Sequence, residues 1–203
     1  MRNRDVFIIV LGVGAVLLLA GSASAASSAK VTSSHGASAT KGARFNTGPG
    51  SVKDWAKTRF QAAYKYLLSQ GFTNANPEAN ASQMALSALA HWANETGSGK
   101  NEYGYNLGGR HARPSDAKYW TNTGAGDKAD FPIFDSLDAA VKDYFELVSK
   151  GYTKAWELLK AHPTESDWYE QLGRSGYYGG DPASAGRTWA TLRANLEQYA
   201  TEQ

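Results

Sequence analysis

The chain has no cysteine, only two methionines and only four histidines among its 203 residues. Without cysteine there is no disulfide framework, no thiolate metal site and no thiol nucleophile. A strong charge of either sign is missing too. The 21 Lys+Arg and 19 Asp+Glu leave a net of +2, too little for a nucleic-acid binder that works by bulk charge. No H-E-x-x-H or G-x-S-x-G motif occurs, which removes zincin-type metal chemistry and the hydrolase nucleophile elbow. We therefore expect no metal and no cofactor. What is present excludes disorder of the whole chain: 42% hydrophobic residues, six Trp and eleven Tyr can build a packed core.

Charge is unevenly spread. Residues 1–60 carry eight basic and two acidic side chains, whereas 61–203 carry 13 basic and 17 acidic. The first part opens with Arg2 and Arg4, followed by an apolar run over 6–21 and the small-residue pattern Ala23-Ser24-Ala25. That order describes a secretory signal over 1–25, with cleavage after Ala25. A retained membrane anchor through residues 6–21 is the competing reading, since the run is slightly short of the ~20 residues a bilayer span needs. Under either, the remainder is exported. N-terminal sequencing of exported protein should begin at Ala26; Met1 retained in membranes would instead show an anchor. Residues 26–52 are rich in Ser, Ala, Gly, Thr and Lys and show no periodicity. They read as a flexible linker that packs on nothing.

From residue 53 the pattern becomes helical. Trp55, Phe60, Ala63, Tyr64, Leu67 and Leu68 recur at helical spacing and Gly71 stops the run. The stretch NANPEANAS reads as a break, with Asn80 or Ser82 as N-cap. A second helix places Ala85, Ala88, Leu89 and Trp92 on one face, with Gly97 just past its end. Residues 98–131 are rich in Gly, Asn, Asp and Tyr, with short extended pieces flanking TGAGDKAD, a small hairpin or irregular lobe. Helices resume at LDAAVKDYFELVSK, capped by Ser136 and ended by Gly151. TKAWELLKAH follows and stops at Pro163. DWYEQLGR is opened by Ser166, and a last helix spans about 183–200. The expectation for 53–203 is one mostly α, α+β domain with a small β lobe forming a cleft.

Glu95 stands apart from the other acids. It lies three residues after Trp92 and seven after Ala88, so it shares the apolar face of its helix, and it sits in the last turn. Burial and the negative end of the helix dipole both disfavour a charge there, the condition a proton donor needs. Exposure at a frayed helix end is the alternative. His91 and Glu95 are i, i+4 on the helix, but without a third ligand motif the pair does not make a metal site.

The run ALAHWANETGSGKNEYGYNLGGR, residues 88–110, resembles the signature of lysozyme-superfamily peptidoglycan glucosaminidases, glycoside hydrolase family 73: A-x-x-E-[ST]-G-x-G-K followed by N-L-[FG]-G. FPIFDSLDAAVKDYFELV and SGYYGGDPASA resemble two further segments of that family, in the same order. The resemblance implies a lysozyme-like fold and an exported glycosidase of β-N-acetylglucosaminidase or muramidase type, with peptidoglycan strands as partner. It implies Glu95 as general acid, Tyr177 beside the cleavage point, and Asn106 and Gly109 in the groove floor. Ser98 and Gly108 stand where the family commonly has Trp and Phe, so aromatic surface is lost; Tyr103, Tyr105 and Tyr178 are the loop aromatics able to stack on sugars. The family's second acid lies in the small lobe, where Asp116, Asp127 and Asp130 are candidates. Without one, the substrate's acetamido group or its 6-hydroxyl would act, the latter giving lytic transglycosylase chemistry. A non-catalytic wall-binding or virion structural protein is the reading of a different class.

Overall fold

The computed structural model describes residues 39–43, 45–71, 76–122 and 129–201. Six helices and three short strands follow in the order β1 (Thr40–Lys41), α1 (Val52–Ser69), α2 (Pro77–Thr96), β2 (Lys118–Thr121), β3 (Asp130–Pro132), α3 (Leu137–Gly151), α4 (Thr153–Ala161), α5 (Asp167–Arg174) and α6 (Pro182–Thr201). The protein is thus α+β and mostly α. Residues 1–25, where a signal or anchor is expected, lie outside the described residues. Among the described residues no helix is long and apolar enough to cross a membrane.

Local chemistry sets the helix ends. The Ser51 side chain accepts from the Asp54 N–H at the start of α1, and Ser136 accepts from the Ala139 N–H at the start of α3. Gly97 closes α2 in the left-handed conformation (φ 59°), its N–H bonded to the Ala93 carbonyl. α2 begins earlier than expected. Within NANPEANAS the helix already runs from Pro77: Asn76 caps the Ala79 N–H, and Pro77 occupies the first turn, where its missing N–H has no partner to lose. Gly151 is the last residue of α3 rather than its stop.

α2 is the centre of the domain. It packs against α1, α4 and α6, and every residue from Met84 to Ala93 is buried, not one stripe of them. Its many alanines let the neighbouring helices approach closely. Its own Trp92 and the surrounding Trp55, Trp168 and Trp189 are fully buried, and the Trp189 indole N–H donates to the Ser87 carbonyl at 3.0 Å. On α1 the buried row is Trp55, Arg59, Ala63 and Leu67, one per turn; Phe60 and Tyr64 flank it and Leu68 is exposed.

The small lobe is a three-stranded sheet in the order β1-β2-β3, with β1 parallel and β3 antiparallel to β2. The expected hairpin is present: Trp120 lies opposite Phe131, their rings stacked at 4.9 Å. The parallel strand corrects the linker reading. Residues 39–50 do not hang free. Thr40 and Lys41 pair with Lys118 and Tyr119, and Asn46 bridges Tyr103. The backbone of Thr47 bonds Glu102, and the Phe45 carbonyl accepts from Gly104. A segment whose one large apolar residue, Phe45, is exposed is held here by backbone pairing and one buried polar cluster, forces that composition does not report.

Candidate active site

Glu95 occupies the last turn of α2, and its side chain is 23% exposed. It reaches solvent and is not the largely desolvated group expected from the apolar spacing. Its neighbours come from four places in the chain. One turn back, the fully buried His91 puts Nε2 at 3.6 Å from Oε1. On the other side the loop after α2 returns over the carboxyl. A Cβ on Gly109, whose φ is 63°, would stand 3.0 Å from Oε2. The phenols of Tyr144 (α3), Tyr169 (α5), Tyr177 and Tyr178 complete the surroundings. Burial first, and the nearby Glu95 charge among the further causes, hold all four above the usual tyrosine range, so they stay protonated.

The glycines around Glu95 have separate physical reasons. Gly99, with φ 89°, lies flat against the Trp55 indole, and a Cβ there would come within 2.3 Å of the ring. Thr96 ties the turn together: its hydroxyl donates to the Trp92 carbonyl and accepts from the Gly99 N–H. Gly108 faces Tyr177, whose hydroxyl donates to the Gly108 carbonyl at 3.0 Å and would lie 2.4 Å from any Cβ. The Tyr177 phenol thus fills the space that a side chain at 108 would take. Asn106 holds the loop closed by donating its side-chain N–H to the Arg110 carbonyl at 2.9 Å.

Below this loop lies a buried ion pair with no counterpart in the expectations. Glu102 is fully buried and accepts from the Trp55 indole (2.7 Å), from Thr47 Oγ1 (2.9 Å) and from two guanidinium nitrogens of Arg59. Thr47 Oγ1 in turn accepts from the Tyr105 N–H, and Arg59 also donates to the Thr47 carbonyl. Periodicity could not single out Glu102, because it sits in a glycine-rich turn.

The expected site residues divide. Glu95, Gly109, Asn106, Tyr177 and Tyr178 converge at the end of α2. Tyr103 belongs to the small lobe, its ring edge-on to Trp120 at 5.7 Å. Tyr105, with φ 57°, packs beside Arg59 over the buried ion pair. Asp127 lies outside the described residues. Asp130 opens β3, and its carbonyl accepts from the Ala112 N–H, three residues from Gly109. Asp116 is engaged elsewhere. Arg110 grips it with two bonds of 2.8 Å and reaches Asp143 through Nε at 2.7 Å. Beside this network Asn106, Gly108, Arg110, Phe134, Tyr144 and Tyr177 line a cavity of about 10 Å³, room for roughly one water.

Two expectations follow. Burial pushes the Asp116 carboxyl up, but the Arg110 guanidinium and the Arg113 N–H outweigh it and hold the group below its ordinary value of 3.8. A depressed folded-state value contributes stability above the ordinary one and loses it as pH falls further. Melting temperature should therefore drop as pH is lowered from about 4 to 2, and Asp116→Asn should flatten that drop. The second concerns Gly109→Ala. A left-handed alanine costs about 1–2 kcal/mol wherever it stands. Gly71, with φ 64° and open space around it, is the control for that cost. Gly109→Ala should match Gly71→Ala in thermal melts but lose far more activity, because its methyl displaces the Glu95 carboxyl.

Comparison with protein-family profiles, with curated proteins and with solved structures finds no match to this chain.

Proposed function

We propose that the chain is an exported peptidoglycan-cleaving glycosidase with a lysozyme-like domain and Glu95 as its general acid. The observation that carries this reading is the setting of Glu95. A partly exposed carboxyl closes a buried helix, Gly109 lies against one of its oxygens without a side chain, and four neutral phenols are its electrostatic neighbours. Among the described residues no Lys or Arg forms an ion pair with this carboxyl. It can protonate the glycosidic oxygen as the C1–O bond breaks; the departing sugar leaves as a neutral alcohol and positive charge develops on the ring that keeps C1. Tyr177 and Tyr178 offer aromatic edges next to that point. Asn106 and Gly109 shape the backbone under it.

What happens next depends on a second group. In an inverting enzyme a carboxylate about 6.5–9.5 Å from the acid activates water; in a retaining one a nucleophile stands about 5–5.5 Å away. Asp116 is bound in two bonds to Arg110 and is a poor base. Asp130 and Asp127 remain for that role. The engagement of Asp116 also favours a second reading, that of a lytic transglycosylase. There the ionised Glu95 takes the proton of the substrate's own 6-hydroxyl, which closes on C1.

The test is digestion of purified peptidoglycan followed by mass analysis of the released sugars. Hydrolysis gives reducing-end products; transglycosylation gives anhydro sugars one water lighter. Binding to walls without release of either would support the wall-binding alternative instead.

A further inference from the structure

We propose that His91 is a positioning residue for this chemistry: its Nε2–H, fixed in that tautomer by the Tyr144 hydroxyl, holds Oε1 of Glu95 so that the reacting proton sits on Oε2, on the Gly109 side. The inference rests on the reading of Glu95 as general acid and adds how that acid is oriented.

His91 is fully buried. Its ring is enclosed by the edges and faces of Tyr144, Trp168, Tyr169 and Tyr177, with centroids 5.0–6.1 Å away. The imidazole cannot turn freely in such packing, so its two nitrogens have fixed directions. Nδ1 lies 2.7 Å from the Tyr144 hydroxyl. Nε2 is buried without a hydrogen-bond partner and points toward Glu95 Oε1 at 3.6 Å.

The tautomer follows from Tyr144. Burial, and then the Glu95 charge, keep that phenol protonated. Its O–H needs an acceptor, and Nδ1 stands at hydrogen-bond distance. A neutral imidazole that accepts at Nδ1 carries its own proton on Nε2. The opposite tautomer would leave a buried O–H without an acceptor. The titratable groups facing His91 are Glu95 on α2, Tyr144 on α3, Tyr169 on α5 and Tyr177 after α5. Burial keeps the three phenols neutral.

At 3.6 Å the contact is about half an ångström longer than a good N–H···O bond. Bonds to catalytic groups are often long before substrate arrives. As the proton leaves Oε2, negative charge grows on the carboxylate and the Nε2–H contact shortens to receive it. The two oxygens then have separate duties: Oε1 is anchored and Oε2, left open by the absence of a side chain at Gly109, delivers the proton.

The experiment uses the full chain in four forms: wild type, Glu95→Gln, His91→Gln, and the double variant His91→Phe/Tyr144→Phe. The double variant removes both polar partners together and keeps the aromatic packing, so no buried group is orphaned. It should stay folded and lower kcat roughly 10- to 100-fold with KM unchanged. Its pH–rate profile should also change. An N–H donor favours the ionised form, so its loss should move the alkaline limb up by about one pH unit. A purely structural role would not move that limb. His91→Gln keeps an N–H donor one turn from Glu95 and should recover most of the rate. Unchanged kcat and an unmoved limb in the folded double variant would overturn the inference while Glu95→Gln remained inactive. An active Glu95→Gln would overturn the general-acid reading itself. Long-range ¹⁵N NMR of the wild-type imidazole is independent of turnover: a proton on Nε2 is expected, and a proton on Nδ1 would sink the proposal.

Discussion

Glu95→Gln should remove nearly all lytic activity and leave the fold intact. The amide has the size of the carboxyl and its oxygen can still face His91, but it has no proton to give to a leaving oxygen. Loss of a general acid typically costs 10²–10⁴-fold in rate. The side chain is partly exposed and takes part in no buried ion pair with Lys or Arg, so the stability change should stay within about 0.5 kcal/mol. Clearing of a peptidoglycan suspension and a thermal melt, measured on the same preparation, check both halves. A folded Glu95→Gln that lyses walls at the wild-type rate would remove the glycosidase reading and leave the wall-binding one.

Glu102→Ala should have the largest effect on stability. It leaves the Arg59 guanidinium, 5% exposed, without its counter-charge, strands the Trp55 indole N–H and removes the shorter of the two acceptors of the Thr47 hydroxyl. Breaking one side of a buried pair costs about 3–5 kcal/mol. For a domain of this size that is a fall in melting temperature of roughly 10 °C. Because Thr47 is held by the same cluster, residues 39–50 should become a protease-sensitive tail in the variant. Replacing both members, as in Arg59→Met/Glu102→Leu, should recover much of the loss, since two apolar side chains leave no unpaired charge. If Glu102→Ala melted within a degree or two of wild type, the cluster would not be what holds the segment down.

The two sets of effects are separable by design. Glu95 lies, partly exposed, in the last turn of α2 and on the proposed reading acts on the reaction. Glu102 lies beneath the following turn and acts on the frame that brings Gly109 and Asn106 over the carboxyl. Glu102→Ala should therefore lower activity only in step with the unfolded fraction at low temperature, whereas Glu95→Gln should lower it at every temperature.

Much of the helical frame was legible in the residues because helix ends are local chemistry. Ser136 caps three residues ahead of itself, Gly97 adopts the left-handed turn that β-carbons resist, and the stripe Val141, Tyr144, Phe145, Val148 repeats at the helical period. The hairpin around TGAGDKAD was legible for the same reason. The start of α2 was misread because a proline among asparagines looks like a break, whereas one proline in the first turn after an asparagine cap is a helix start.

Sequence by itself determined the class of the fold and the spacing that drew attention to Glu95. Only the tertiary structure decided what surrounds that carboxyl. α2 is buried on all sides, so its periodicity could not say which face meets the site. His91 meets Tyr144 across 53 positions, Tyr177 meets Gly108 across 69, and Arg59 meets Glu102 across 43. The same holds for residues 39–50, whose composition reads as a tether until β2 offers them a strand to pair with. Such contacts depend on how six helices close around one another. Capping and hydrophobic period describe a few neighbouring residues at a time, and they carry no information about partners that only the packed chain brings together.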